Sequence, residues 1–325
     1  MRKLILVLLV IIWPADATRA DVDSYSVFKV AVFDQTNSSQ PASVDSPDAY
    51  YFAAQVDTDT NGLVTDSASV TCAPNYATYQ MSRNFYASTN FYFNSIYYPD
   101  KAAFDSNFSD GPFLFALNDG GYSEEAFAAE DLYSSVIPYF TGDTWSRLHS
   151  IDSTRPLNLC WNSFVPNPDA TSAYVFVAIY DIIHNYAYYS DALSPDQTNL
   201  CVPANTLEPG TPYTIQLFFS DRDDFAGYPL GDGASAVEGF DNLTFTSLQT
   251  IAPVLSIAPG TNAVIVSWPA IASNYFLFFL GSSPQLSPPS WSGVATTFSG
   301  TQNVAVVPTT GQSQYFRLFR LPVGP

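Results

Sequence analysis

Hydrophobic residues in this chain recur at every second position far more often than at every third or fourth. YSVFKVAVFD (25–34), AYYFAAQV (49–56), GLVTDSASVTC (62–72) and NFYFNSIYY (90–98) are short, rich in Val, Tyr and Phe, and bounded by turn residues. β-Branched and aromatic side chains at period two suit a pleated surface with one buried face, so each segment is predicted as a strand. PDKAAFDSNF (99–108) is the single helical expectation, with Asp100 placed to cap its first turn. No other segment sustains a 3.6-residue period.

The same alternation continues downstream. Leu157, Leu159 and Trp161 share one face of RPLNLCW (155–161), and AYVFVAIYD (173–181) follows as a strand, with His184-Asn185 as a turn into YAYYSDA. In TNLCVPANTLEPGTPYTIQLFFSD (198–221), Leu200 and Val202 point inward and Leu207 closes one end of the unit. Pro209-Gly210 makes a turn, and Tyr213, Ile215, Leu217 and Phe219 form the next inward face. Beyond residue 250, PVLSIAPGTNAVIVSWP (253–269), NYFLFFLGSS (274–283), WSGV (291–294), NVAVVP (303–308) and QYFRLFRL (314–321) read as further strands. Short strands at regular spacing, punctuated by Gly, Pro and Asn, predict an all-β chain of tandem β-sandwiches. The expected units are 21–133, 134–250 and a small carboxy-terminal β-domain at 251–325.

Leu-x-Pro-Gly-Thr-x-Tyr, from Leu207 to Tyr213, together with Trp161, resembles the corner and core tryptophan of fibronectin type III domains. The resemblance covers about 115 residues and implies an immunoglobulin-like sandwich used as a spacer or binding module. It implies no chemistry. Residues 251–325 resemble a small terminal domain of secreted modular proteins from environmental bacteria, through Trp268-Pro269, the loop at Trp291 and the final Tyr315-Phe316-Arg317-Leu318. The leading segment resembles such proteins through Lys101 to Asp105 and the Phe113-x-Phe115 strand. These motifs are structural, and the family they suggest has no assigned activity. In a fibronectin-like sandwich the strands holding Cys160 and Cys201 are neighbours, and both cysteines alternate away from the core. A Cys160–Cys201 disulfide across the outer face is therefore expected, with two free thiols as the alternative. Cys72 reads as a small buried residue.

The first twenty residues change the picture of compartment. Arg2 and Lys3 precede the apolar run Leu4 to Trp13, Pro14 breaks it, and small-residue cleavage options follow at Ala15-Asp16-Ala17 and Thr18-Arg19-Ala20. This is the pattern of a secretory signal peptide, too short to span a membrane. A secreted or cell-surface location follows as the expectation, one that permits disulfides. The formal charge is −19, and only 13% of residues are charged against 16% aromatic. So acidic a surface repels nucleic acids and anionic membranes and attracts cations.

Candidate chemistry is sparse. DTDTNG (57–62) begins like a calcium loop, but its twelfth position is Ala68 where a bidentate acid is needed. Asn61-Gly62 is a hairpin signal, so a turn is the first reading. A weak calcium site on Asp57, Asp59, Asn61 and Asp66 is the alternative. SDRDDFAGYPLGDG (220–233) reads first as a solvated acidic loop in which Arg222 offsets part of the repulsion, with cation ligation by Asp221, Asp223 and Asp224 as the alternative. His149 and His184 lack the companions of a zinc site. No Gly-x-Ser-x-Gly elbow is present. Glu124, Glu125, Glu130 and Asp131 read as a solvated edge, not as a glycosidase pair. Aromatics occur on both parities of 84–98 and at Tyr186, Tyr188 and Tyr189. Tyr92, Tyr97, Tyr98, Tyr186 and Tyr188 are accordingly candidates for ligand stacking, against the alternative that both faces are covered. The chain reads as non-catalytic, without a cofactor, in a structural, surface or adhesive role. Polysaccharides and surface proteins are the candidate partners, and carbohydrate binding is the alternative function.

Overall fold

A computed structural model describes residues 22–322 apart from 39–41, 46, 59–66, 73–74, 84–89, 111, 118–121, 128–130, 182–185, 226–234, 270–275, 301 and 310–312. The chain is all-β. Its leading part holds β1 (Val22–Asp34), β2 (Ser43–Val44), β3 (Tyr50–Thr58), β4 (Ala68–Cys72), β5 (Ala77–Arg83), β6 (Asn90–Asn94), β7 (Pro112–Leu117) and β8 (Tyr122–Phe127). The strand order is β1-β3-β6-β5-β4-β7-β8, with β2 beside β1. Although β1 and β7 are distant in this order, the Tyr25 and Phe115 rings lie 5.2 Å apart. The strands therefore fold over into two layers. Phe52, Phe104, Phe108, Phe113 and Val70 fill the space between. The expected helix forms as α1 (Lys101–Asp105), and Asp100 accepts a hydrogen bond from the Ala103 N–H at 2.8 Å.

β3 and β4 flank DTDTNG, but β6 and β5 lie between them in the sheet, so these two strands are not hairpin partners. The turn expected at Asn61-Gly62 lies outside the described residues. Local turn chemistry cannot reveal which strands pair at long range.

The middle part holds α2 (Gly142–Leu148), β9 (Leu157–Cys160), β10 (Ser172–Asp181), β11 (Tyr186–Tyr189), β12 (Asn199–Val202), β13 (Pro212–Phe225) and β14 (Ser235–Gln249). β9 pairs with β12, and β11-β10-β13-β14 run in the opposing layer. Between them Leu157, Leu159, Trp161, Tyr213, Ile215, Leu217 and Phe219 form one core, the set that alternation predicts. The Tyr213 hydroxyl accepts a hydrogen bond from the Glu208 N–H at 2.7 Å, tying the corner to the strand that follows. α2 has no counterpart in the sequence reading. SDRDDF, expected as a loop, continues β13 through Phe225, paired with β14 residue by residue.

β1 and β14 join these two parts. They pair in parallel from Ser24–Ser235 to Asp34–Phe245, so one sheet runs from β11 to β8. Gly239 is required at this seam because a Cβ there would sit 2.4 Å from the Phe28 ring. The connection through residues 134–140 crosses the inner face of the sheet, where β14 side chains satisfy its carbonyls. Asn242 donates to Ser134 O and Val136 O, and Thr244 Oγ1 donates to Pro138 O at 2.6 Å. Gln35 exchanges two hydrogen bonds with the Phe140 backbone. These polar positions of β14 are buried because both faces of the strand are covered.

The final part contains β15 (Ser256–Gly260), β16 (Ala263–Pro269), β17 (Phe276–Ser283), β18 (Ser292–Gly293), β19 (Thr297–Ser299), β20 (Gln302–Pro308) and β21 (Tyr315–Pro322). Two sheets, β15-β16-β20-β19 and β18-β17-β21, share a core of Val266, Trp268, Leu280, Ala305 and Val307.

Candidate functional site: a curled aromatic face

The outward parity of β10, β13, β14, β1 and β3 carries an unusual set of residues for a sheet surface. β10 presents Tyr174, Phe176 and Tyr180, β13 presents Phe218, Ser220 and Arg222, and β14 presents Asp241, Leu243 and Phe245. Phe28, Val30 and Val32 follow on β1, and Tyr51 on β3. Val30, Val32 and Leu243 are each only 1% exposed, with the rings of Phe28, Tyr51, Phe218 and Phe245 packed against them. Sheets of this width twist and coil. Here the middle strands are closed over at Val30, Val32 and Leu243, while Tyr97 on one side and Tyr186 and Tyr189 on the other stand exposed, which gives the face the form of a groove.

Its walls are tyrosines. Tyr180 and Tyr186 pack with tilted rings 4.5 Å apart and their hydroxyls 3.3 Å apart. Tyr189 meets Tyr186 edge-on at 5.6 Å and Phe176 at 6.2 Å. On the opposite wall Tyr97 meets Tyr51 edge-on at 5.2 Å. Tyr97, Tyr186 and Tyr189 are respectively 46%, 62% and 55% exposed, so the rim is open while the floor is closed. Arg222 lies over three rings, 5.0 Å from Tyr174, 5.4 Å from Phe176 and 5.7 Å from Phe28. Asp241 lies on the floor. Burial pushes its carboxyl up to about 6, opposed by a hydrogen bond from Ser220 and the charge of Arg222, and its Oδ1 has no hydrogen-bond partner. Burial raises Tyr51, Tyr180 and Tyr189 as well. Among the described residues, the groove thus offers flat apolar rings, hydroxyls at the rim, the Arg222 guanidinium and the Asp241 carboxyl.

The expected stacking residues divide. Tyr97 and Tyr186 line this groove, and Tyr92 is exposed on β6, beside Gln55 of β3. Tyr98 packs on Phe104 and Phe108, and Tyr188 packs on the core of the middle part, so neither presents a free face. Tyr189, noted among the aromatics of 186–189, joins the groove, whereas Tyr51, Tyr180, Arg222 and Asp241 were not expected in a contact face. The available signal was the off-core parity of Tyr174, Phe176 and Tyr180 in a strand whose other face is Val175, Val177 and Ile179.

The other sites fare differently. Asp57 lies one residue before the end of β3 and accepts from Ser24 Oγ at 2.9 Å and Gln55 Nε2 at 2.6 Å. Asp59, Asn61 and Asp66 lie outside the described residues, as does His184. Among the described residues, no group of three or more His, Cys, Asp or Glu side chains is placed to hold a metal. Asp221 is no solvated ligand. It is fully buried on the inner face, accepts from the Asn167 N–H, and is pushed up to about 7 by burial. His149 caps the end of α2 with its ring edge-on to Trp145 at 5.3 Å. The cysteine strands β9 and β12 are neighbours, and both thiols face outward. Their register sets Cys160 opposite Asn199 and Cys201 opposite Asn158, two residues out of step, and all three cysteines are free. Cys72 is fully buried, which pushes its thiol up to about 12.

No protein-family model matches the chain, and no curated protein sequence matches it. Solved structures that match include the chicken CNTN1 FN1–FN3 domains, at 8% identity and TM-score 0.22, over 83% of this chain and 94% of that one. A marsupial T cell receptor matches at 9% identity and TM-score 0.23, over 93% and 99%. A tetra-tandem repeat in the extending region of a large adhesion protein matches at 12% identity and TM-score 0.22, over 92% and 74%. At such TM-scores no property passes from these chains to this one. Among the described residues, no helix is long and apolar enough to cross a membrane.

Proposed function

We propose that this chain is an exported, non-catalytic protein with a structural or adhesive role at a surface, and that the aromatic groove is its contact face. The observation that carries the reading is the pairing of a fully buried floor at Val30, Val32 and Leu243 with exposed rings at Tyr97, Tyr186 and Tyr189. Rigid aromatic side chains lose little conformational entropy on binding and supply large contact area. A polysaccharide ligand is the second reading. Rings beside Arg222 and rim hydroxyls suit the flat apolar faces and polar edges of sugars.

Binding of the purified chain to a glycan array and to immobilised cell-surface protein tests both readings. The double variant Tyr186→Ala/Tyr189→Ala should lose at least tenfold in affinity for whichever surface binds, with its thermal melt unchanged. Retention on glycans alone selects the polysaccharide reading. Binding that survives the double variant removes the groove as the contact face.

A further inference from the structure

Lys29 points to the inner side of β1 and is 0% exposed. Lysine is rarely buried without a specific partner. Its ammonium lies 5.5 Å from the centre of the Phe240 ring and touches the Asp110 carboxylate directly. Asp131 is farther, at 3.6 Å, and is already engaged by Lys101, which also holds Asp105 at 2.6 Å. That leaves Asp110 as the carboxyl in immediate contact with Lys29. Glu238 shares the same inner face of the β1–β14 seam, since Val27 pairs with Glu238 and Lys29 with Phe240. Glu238 is 0% exposed, and neither of its carboxyl oxygens has a hydrogen-bond partner.

We propose that Lys29 Nζ and the Asp110 side-chain carboxyl condense into an intramolecular amide, with Glu238 relaying the protons. The ammonium first gives a proton to the Asp110 carboxylate, leaving an amine and a carboxylic acid. The amine nitrogen attacks Cγ, forming the C–N bond. The C–OH bond then breaks and one water leaves through the side of Asp110 that faces solvent. Glu238 donates a proton to the departing oxygen and recovers one from the nitrogen, so it ends as it began. Nothing is oxidised or reduced. Burial pushes Glu238 up to about 8, above the opposing effect of Lys29, so it carries the proton this role needs at neutral pH. Folding itself supplies the proximity that replaces an activated acyl donor. The bond would link residues 81 apart in sequence, fastening the seam strand to the segment that follows α1.

Intact mass spectrometry of the full chain under denaturing conditions tests this, with peptide mapping alongside. The expected result is a folded product lighter than its sequence by one water, and a branched peptide containing Lys29 and Asp110. Lys29→Arg and Glu238→Gln, each checked for folding by circular dichroism, should show the full sequence mass. Asp110→Asn should lose one ammonia in place of water. A folded wild-type chain at full sequence mass, with Lys29 and Asp110 recovered in separate linear peptides, overturns the proposal. So does a cross-link that forms unchanged in folded Glu238→Gln, which would remove the proton relay.

Discussion

Asp241 and Asp221 occupy opposite faces of adjacent strands, and both are held as acids harder to ionise than a free carboxyl. For Asp241 the folded value of about 6 lies above the ordinary 3.8. The folded state then binds more protons than the unfolded state between those values. Stability contributed by this group is complete below the lower value and is lost as pH rises through the upper one. Asp241→Asn should therefore be more stable than wild type at pH 8, by roughly 1–3 kcal/mol, with a correspondingly higher melting temperature, and should match it near pH 4. Thermal melts across pH 4–8 check this. A parallel pH dependence for both proteins would mean that Asp241 does not titrate in this window. Arg222 shows how a residue can mislead. Placed in SDRDDF it reads as relief of repulsion in a loop, whereas it lies across Tyr174, Phe176 and Phe28 on a strand.

Strands with one wet face were legible, and strands covered on both faces were only partly so. Leu157, Leu159 and Trp161 on β9, and Tyr213 to Phe219 on β13, alternate cleanly because one core claims every second residue. β14 breaks that logic. Glu238, Asn242, Thr244 and Thr246 are polar residues at alternate positions, yet they are buried. Asn242 and Thr244 satisfy carbonyls of the segment from Ser134 to Pro138, where Pro138 denies the chain a place in a ladder, and Thr246 satisfies the Gln35 carbonyl. Thr244→Val keeps the shape and strands the Pro138 carbonyl. It should cost about 1–3 kcal/mol in urea unfolding, and a loss below a few tenths would mean water replaces the hydroxyl. α2 was missed for a related reason. Two turns in GDTWSRL are too short to show a period, and Thr141 makes no side-chain cap bond.

At the scale of the molecule, the seam between β1 and β14 could not be read in advance. More than two hundred residues separate the partners, and no local pattern specifies which edge meets which. The expected units at 21–133 and 134–250 therefore meet through a shared sheet and through the Gln35–Phe140 and Asn242–Ser134 contacts. The parallel direction of the seam has a mechanical meaning. The chain enters at the start of β1 and leaves toward the final part at the end of β14, so its two exits lie at opposite ends of adjacent strands. Tension drawn between them pulls the strands along their length and loads the rungs from Ser24–Ser235 to Asp34–Phe245 together in shear. A hairpin edge pulled from one end would instead open rung by rung. In single-molecule pulling from residues 22 and 250, the seam should yield in one high-force step. Pulling the same protein from residues 186 and 250 bypasses β1 and leaves the seam unloaded, so this high-force step should be absent.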